Sequence, residues 1–177
     1  AGTYETIMLS NNSKSDKTRL HKLIEAVKRI YASTFKGEAR TLLKNTAHRI
    51  EEEKMAILIQ EVVGVKYKSN RFYPTFSGVL QSINYYPVSY MKRNEGVAYL
   101  ALGFGRTIAD GEKCLRISPK YPKIIPQFFS LRATIQNSQN EFYAMNLNHQ
   151  NQKNYQSNKY QLEDAEIDGA LKWVGSS

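Results

Sequence analysis

Cysteine occurs once in the 177 residues, at Cys114, so no disulfide can close within the chain. A disulfide-stapled scaffold is thereby excluded. A lone thiol agrees with a reducing compartment, and a cytoplasmic setting is expected. Histidine is scarce as well. His21, His48 and His149 lie far apart, and no Cys-x-x-Cys or His-x-x-x-His spacing occurs. That excludes the usual zinc sites. No Gly-x-Ser-x-Gly elbow is present, and no Gly-x-x-x-x-Gly-Lys-Ser/Thr loop. No apolar run approaches the roughly 20 residues that a membrane-spanning helix needs, so no membrane partner is expected. The first ten residues lack a basic segment followed by an apolar one, so a secretory signal is absent or was removed ahead of Ala1.

What is present is a basic surplus. Lys+Arg number 25 against 16 Asp+Glu, for a net charge of +9. Such a balance draws polyanions: nucleic acid, an anionic membrane or a polyphosphate ligand. No run of five or more basic residues stands out, so charge alone names no partner. Hydrophobic residues make up 41%, enough for a core, and the length fits one domain or a domain with an appendage.

The first nine residues read as a loop entering a strand, and residues 10–16 as a polar turn. Leu20, Leu23, Ile24, Val27, Ile30, Tyr31 and Phe35 recur at helical spacing, with Ser15 or Asp16 placed to cap the helix. Gly37 interrupts the pattern, and a second helix is expected over 38–53. Residues 55–63, MAILIQEVV, form a short apolar run rich in β-branched residues and stopped by Gly64, which predicts a buried strand. One or two strands are expected around Ser77-Gly78, another over 97–102, a short helix to Asp110, and a strand over 113–117 ended by Ser118-Pro119. A helix is predicted over 131–143. Between Gln136 and Gln161, 13 residues are Asn or Gln. The stretch 146–161 is accordingly expected to be a mobile polar loop. Helices first and strands clustered after them indicate an α+β fold with a mixed or antiparallel sheet and flanking helices.

Four constellations can carry chemistry. Gly103-Phe104-Gly105-Arg106-Thr107 places glycines between a strand and a helix, where backbone N–H groups can approach an anion. An ordinary tight turn accounts for the same pattern. Gln60-Glu61-Val62-Val63 ends the apolar run, and a strand leaving a core can offer an adenine ring an apolar wall with a backbone donor and acceptor. A plain strand end accounts for that pattern too. Gly2-Thr3-Tyr4-Glu5-Thr6 can present N–H and hydroxyl donors to phosphate. Glu163, Asp164, Glu166 and Asp168 supply clustered carboxylates of the kind hard cations use. Neighbours on a helix mostly point apart, so a solvated face is the expectation there and no metal site is assigned.

Six segments in order carry a resemblance: AGTYETIML, YASTF, EEEKMAILIQEVVG, FYPTFSGVLQS, GVAYLALGFGRTIADGEKCLRISPKYP and NSQNEFYAMNL. Together they are similar to the pyruvate- and ATP-binding domain of phosphoenolpyruvate synthases and pyruvate phosphate dikinases, most of all to the synthase-like members. The resemblance covers nearly the whole chain and implies an ATP-grasp-like fold. Residues 1–177 then form part of one ATP/pyruvate-binding domain, truncated at both ends. Ala1-Gly2 with Thr6 resembles the family's phosphate loop, a Phe-Ala-Gly followed shortly by an acidic residue and a threonine, so Gly2, Thr3 and Thr6 are expected at the phosphates. Gln60, Glu61, Val62 and Val63 resemble the hinge strand that holds adenine. Ser77-Gly78-Val79 resembles the family's Ser-Gly-Val strand. Gly103, Gly105 and Arg106 resemble its Gly-Leu-Gly turn, with Phe104 for the leucine and Arg106 where the synthases usually carry glutamate.

The resemblance also implies what the parent protein does. It would take phosphate from ATP, pass it through a phosphohistidine in another domain, and convert pyruvate to phosphoenolpyruvate. None of the three histidines matches the phosphocarrier motif. The upstream lysine and arginine and the downstream acidic pair, glutamine and arginine of the family find no match here, so no catalytic residue is assigned. Mg²⁺ is implied with ATP, its ligands lying outside residues 1–177, and the chain alone is expected to be inactive. Two other readings stand beside this one. A nucleic-acid-binding module would use the net charge with the 12 tyrosines and 7 phenylalanines for stacking, although nucleic acid is not the expected partner. A domain that senses nucleotide without catalysis is the other.

Overall fold

The computed structural model describes residues 5–37, 41, 56–88, 90–148 and 157–171. The chain divides into two compact units. The first comprises Ala1–Val62 with Leu147–Ser157, the second Val63–Asn146 with Asn158–Ser177. The helix expected over 38–53 lies outside the described residues except at Thr41, and Met55 lies outside as well.

The first unit holds helix α1 (Asp16–Ser33), begun as its sequence predicts. The Ser15 hydroxyl accepts from the Thr18 N–H at 3.3 Å, satisfying one of the donors a helix start leaves open. Asp16 adds negative charge to the first turn and pairs with Arg19. Ala26 and Ser33 are the residues that α1 buries, whereas Leu20, Ile24 and Tyr31 stay exposed.

Two expectations fail in this unit. Residues 5–9 form no strand. Residues 56–62, and Val63 and Gly64 that open the second unit, are irregular, and the predicted buried strand is solvent-facing: Leu58 is 79% exposed and Val63 82%. The physical reason lies in pairing. β-Branched residues favour a strand only where a neighbour takes their backbone N–H and C=O groups and their side chains. No such neighbour pairs with 56–64 among the described residues.

The second unit is built on two antiparallel sheets, which agrees with the α+β expectation. One sheet has four strands in the order β1 (Val65–Lys66), β2 (Arg71–Tyr73), β6 (Glu141–Asn146), β7 (Asn158–Gln161). The other runs β3 (Ser77–Gln81), β4 (Val97–Ala101), β5 (Leu115–Ile117). Among the described residues three short α-helices accompany the sheets: α2 (Arg106–Ala109), α3 (Leu131–Asn137) and α4 (Leu162–Ile167). The β3, β4 and β5 strands and the turn into α2 fall where the sequence places them.

The region after α3 departs from expectation. The helix predicted over 131–143 stops at Asn137, and Glu141 opens strand β6. Ser138 leaves the helix with extended backbone, and Gln139 engages the Leu102 backbone. Within the stretch expected as a loop over 146–161, Asn158–Gln161 is a strand paired to β6, with Phe142 opposite Tyr160.

Aromatic packing forms the centre of the four-stranded sheet. Tyr67 stacks on Tyr73 at 4.3 Å, Tyr73 meets Phe142 at 4.8 Å, and Phe142 meets Tyr160 at 5.9 Å. Tyr73 and Phe142 are fully buried. Aromatic pairs of this kind add to simple area burial. The three-stranded sheet ends differently. Among the described residues β3 is an edge strand, no charged residue stands between Arg71 and Lys92, and Leu80, Tyr85 and Tyr86 are exposed.

Candidate functional site

Of the residues expected at the phosphates, Gly2 and Thr3 lie outside the described residues, while Thr6 is described and exposed. Thr6 follows a firmly held neighbour. The Glu5 carboxylate accepts from Arg29 Nη2 at 2.8 Å and from Lys36 Nζ at 2.9 Å. Its backbone N–H donates to Ser33 Oγ at 3.2 Å, and that hydroxyl donates to the Ile30 carbonyl at 2.6 Å. The Lys36 hydrogen bond, with Arg29 assisting, holds the Glu5 carboxyl below its usual range against the opposing effect of burial. Spacing alone could not signal this anchor, because its members come from residues 5, 29, 33 and 36.

The residues expected at the adenine, Gln60, Glu61, Val62 and Val63, form irregular chain. Gln60, Glu61 and Val63 are exposed and Val62 is half-buried. Among the described residues no backbone hydrogen bond joins this segment to another. The buried wall expected of a strand is absent, and what remains is a polar, accessible backbone.

In the second unit the Gly103-Phe104-Gly105 turn is tightly held. Gly103 has φ +77°, and a Cβ there would stand 2.7 Å from the Tyr143 carbonyl oxygen. The left-handed backbone and the close approach together account for glycine. The Phe104 N–H donates to that same carbonyl at 2.9 Å, tying the turn to β6. Gln139 braces the preceding residue: it accepts from the Leu102 N–H at 2.8 Å and donates to the Leu102 carbonyl at 3.1 Å. Arg106 turns to protein groups. Its Nε donates to Asp110 at 3.0 Å, and its guanidinium lies 4.7 Å from the Tyr143 ring centre. Gly105 is exposed at the start of α2.

The acidic segment 163–168 is divided by the fold. Glu163 and Glu166 are exposed, as expected of a solvated face, but Asp164 and Asp168 turn inward to Arg71. Asp168 accepts from Arg71 Nε at 2.7 Å, from the Tyr73 hydroxyl at 2.9 Å and from Ser69 Oγ. Burial pushes the Asp168 carboxyl up, yet hydrogen bonds from Arg71, Ser69 and Tyr73 hold it below the usual range. Burial, reinforced by the bond to Asp168, pushes the Tyr73 hydroxyl well up. The spacing of Asp164 and Asp168, one helical turn apart, was the available signal that both share a face.

Carboxylates so engaged do not fit a magnesium ion, which needs free oxygens and room for its waters. Among the described residues no group of three or more His, Cys, Asp or Glu side chains converges. No described helix is long and apolar enough to cross a membrane.

A family model described as pyruvate phosphate dikinase, AMP/ATP-binding domain, matches residues 1–175. Neither a curated protein nor a solved structure matches the chain.

Proposed function

The chain belongs to the pyruvate phosphate dikinase AMP/ATP-binding domain family, and from that premise we propose that it supplies part of the ATP site of a phosphoenolpyruvate-forming phosphotransferase. Family membership makes it a nucleotide-binding domain of a kinase-type transferase. The match across residues 1–175 is the observation that carries the reading.

In this reading Gly2, Thr3 and Thr6 contact the phosphates, and Gln60, Glu61, Val62 and Val63 contact the adenine edge. Gly103, Gly105 and Arg106 form an anion-contacting turn. The exposure of Thr6 and the absence of backbone hydrogen bonds at 60–63 among the described residues support the first two assignments, because both leave donors and acceptors open to a ligand. The fold would be ATP-grasp-like. The parent protein would act in the cytoplasm, pass phosphate through a phosphohistidine in another domain, and use pyruvate as acceptor. Mg²⁺ would accompany ATP on carboxylates other than those described, since Asp164 and Asp168 are held by Arg71.

Nucleic-acid binding is the weaker reading on geometry. Arg71, Arg93, Arg106 and Arg116 lie over Tyr160, Tyr85, Tyr143 and Tyr99. Those ring faces meet the protein's own cations, where stacking on bases would need them open.

The test is ATP binding by the full-length protein before and after Gln60→Ala. Losing one hydrogen bond to a neutral group predicts roughly three- to tenfold weaker binding. An unchanged affinity would remove Gln60 from the site.

A further inference from the structure

The anchor on Glu5 is more elaborate than an irregular chain segment requires. Each carboxylate oxygen has its own cation, Arg29 on Oε1 and Lys36 on Oε2. The side chain is only 16% exposed, whereas the next residue, Thr6, faces solvent. The backbone N–H of Glu5 is fixed as well, through Ser33, which is itself buried and bonded to Ile30. Side chain and main chain of one residue are thus both fastened to the last turns of α1 and to Lys36 just past it, directly before the exposed Thr6.

We propose that Glu5 is a positioning residue. Held by Arg29, Lys36 and Ser33, it fixes the backbone from which the Thr6 hydroxyl is offered to a nucleotide polyphosphate. The inference rests on the reading of Gly2, Thr3 and Thr6 as phosphate contacts. Its physical content is preorganisation: a loop ordered before the ligand arrives loses less conformational entropy on binding. It also assigns Arg29 and Lys36 a role as struts, with their charge directed at Glu5 and not at phosphate. The opposite arrangement makes an opposite prediction. If those cations were the phosphate ligands, neutralising Glu5 would release them and tighten ATP binding.

The experiment measures ATP and adenosine affinities of the full-length protein by calorimetry, in the wild type and in Thr6→Val, Glu5→Gln, Glu5→Asp and the Glu5→Gln/Thr6→Val double variant. Expected are about tenfold weaker ATP binding for Glu5→Gln, unchanged adenosine binding, and partial recovery in Glu5→Asp. The double variant should bind ATP no more weakly than Thr6→Val, because Glu5 acts through Thr6. If Thr6→Val leaves ATP affinity unchanged, the phosphate-loop reading itself fails. If Thr6→Val weakens ATP but Glu5→Gln binds it as the wild type does, or more tightly, the positioning role is overturned while the loop stands. Equal loss of ATP and adenosine in Glu5→Gln would also overturn it, exposing a general structural role.

Discussion

The Nε of Arg71 lies 2.7 Å from the carboxylate of Asp168, whose side chain is wholly buried. The two residues are 97 positions apart, one on β2 and one just past α4, so the pair fastens the end of α4 to the four-stranded sheet. Removing Arg71 leaves the buried Asp168 charge without its cation, whereas neutralising Asp168 leaves Arg71 paired with Asp164 at 2.8 Å. Arg71→Met is expected to cost about 3–5 kcal/mol and Asp168→Asn less, read from urea midpoints. Asp110→Ala, which opens the exposed pair with Arg106, should cost about 1 kcal/mol or less.

The same carboxylate gives the protein an acid limit. The Asp168 pKa is depressed on folding from its ordinary value of 3.8. A depressed carboxylate contributes stability that is full above its unfolded pKa and is lost as pH falls through the folded value. Unfolding free energy should therefore fall below about pH 4. That slope should be shallower in Asp168→Asn, and equal slopes in the two proteins would refute the assignment.

Gly103 and Gly111 both have positive φ, at +77° and +72°. They differ in surroundings: a Cβ at Gly103 meets the Tyr143 oxygen at 2.7 Å, and one at Gly111 meets nothing within 4 Å. Gly111→Ala should cost only the backbone penalty, about 1–2 kcal/mol. Gly103→Ala should cost clearly more, because β6 must also shift. Thermal unfolding of the two variants decides it.

Ser15→Ala removes the side-chain acceptor for the Thr18 N–H at the start of α1. The expected loss is about 1 kcal/mol, and Ser15→Asp should recover it. Amide exchange in the first turn of α1 is the direct measurement.

What could be read in advance follows from how local each signal is. Helix α1 was legible because six apolar residues within it repeat at its period and Ser15 stands where a cap belongs. The β4–turn–α2 segment was legible because Gly103 and Gly105 punctuate it. Strand β6 was not, since Phe142, Tyr143, Ala144 and Met145 are all buried and a strand covered on both faces shows no alternation. Residues 56–63 mislead for a related reason, as their composition suits a strand but their partner is a matter of tertiary context. Within the candidate site, the family's motif letters marked Thr6 and Gln60. Nothing local marks the grip of Arg29 and Lys36 on Glu5, or that of Arg71 on Asp164 and Asp168, because those contacts span from 24 to 97 residues.

Among the described residues strand β3 closes its sheet with an apolar margin that carries no lysine, glutamate or proline to deter another strand from adding to it. Copies of the chain are kept apart by mutual repulsion of their +9 charges, a long-range force that ions weaken. Colloidal stability therefore depends on low ionic strength: the chain disperses in dilute buffer and becomes prone to fibrous precipitation as salt is raised.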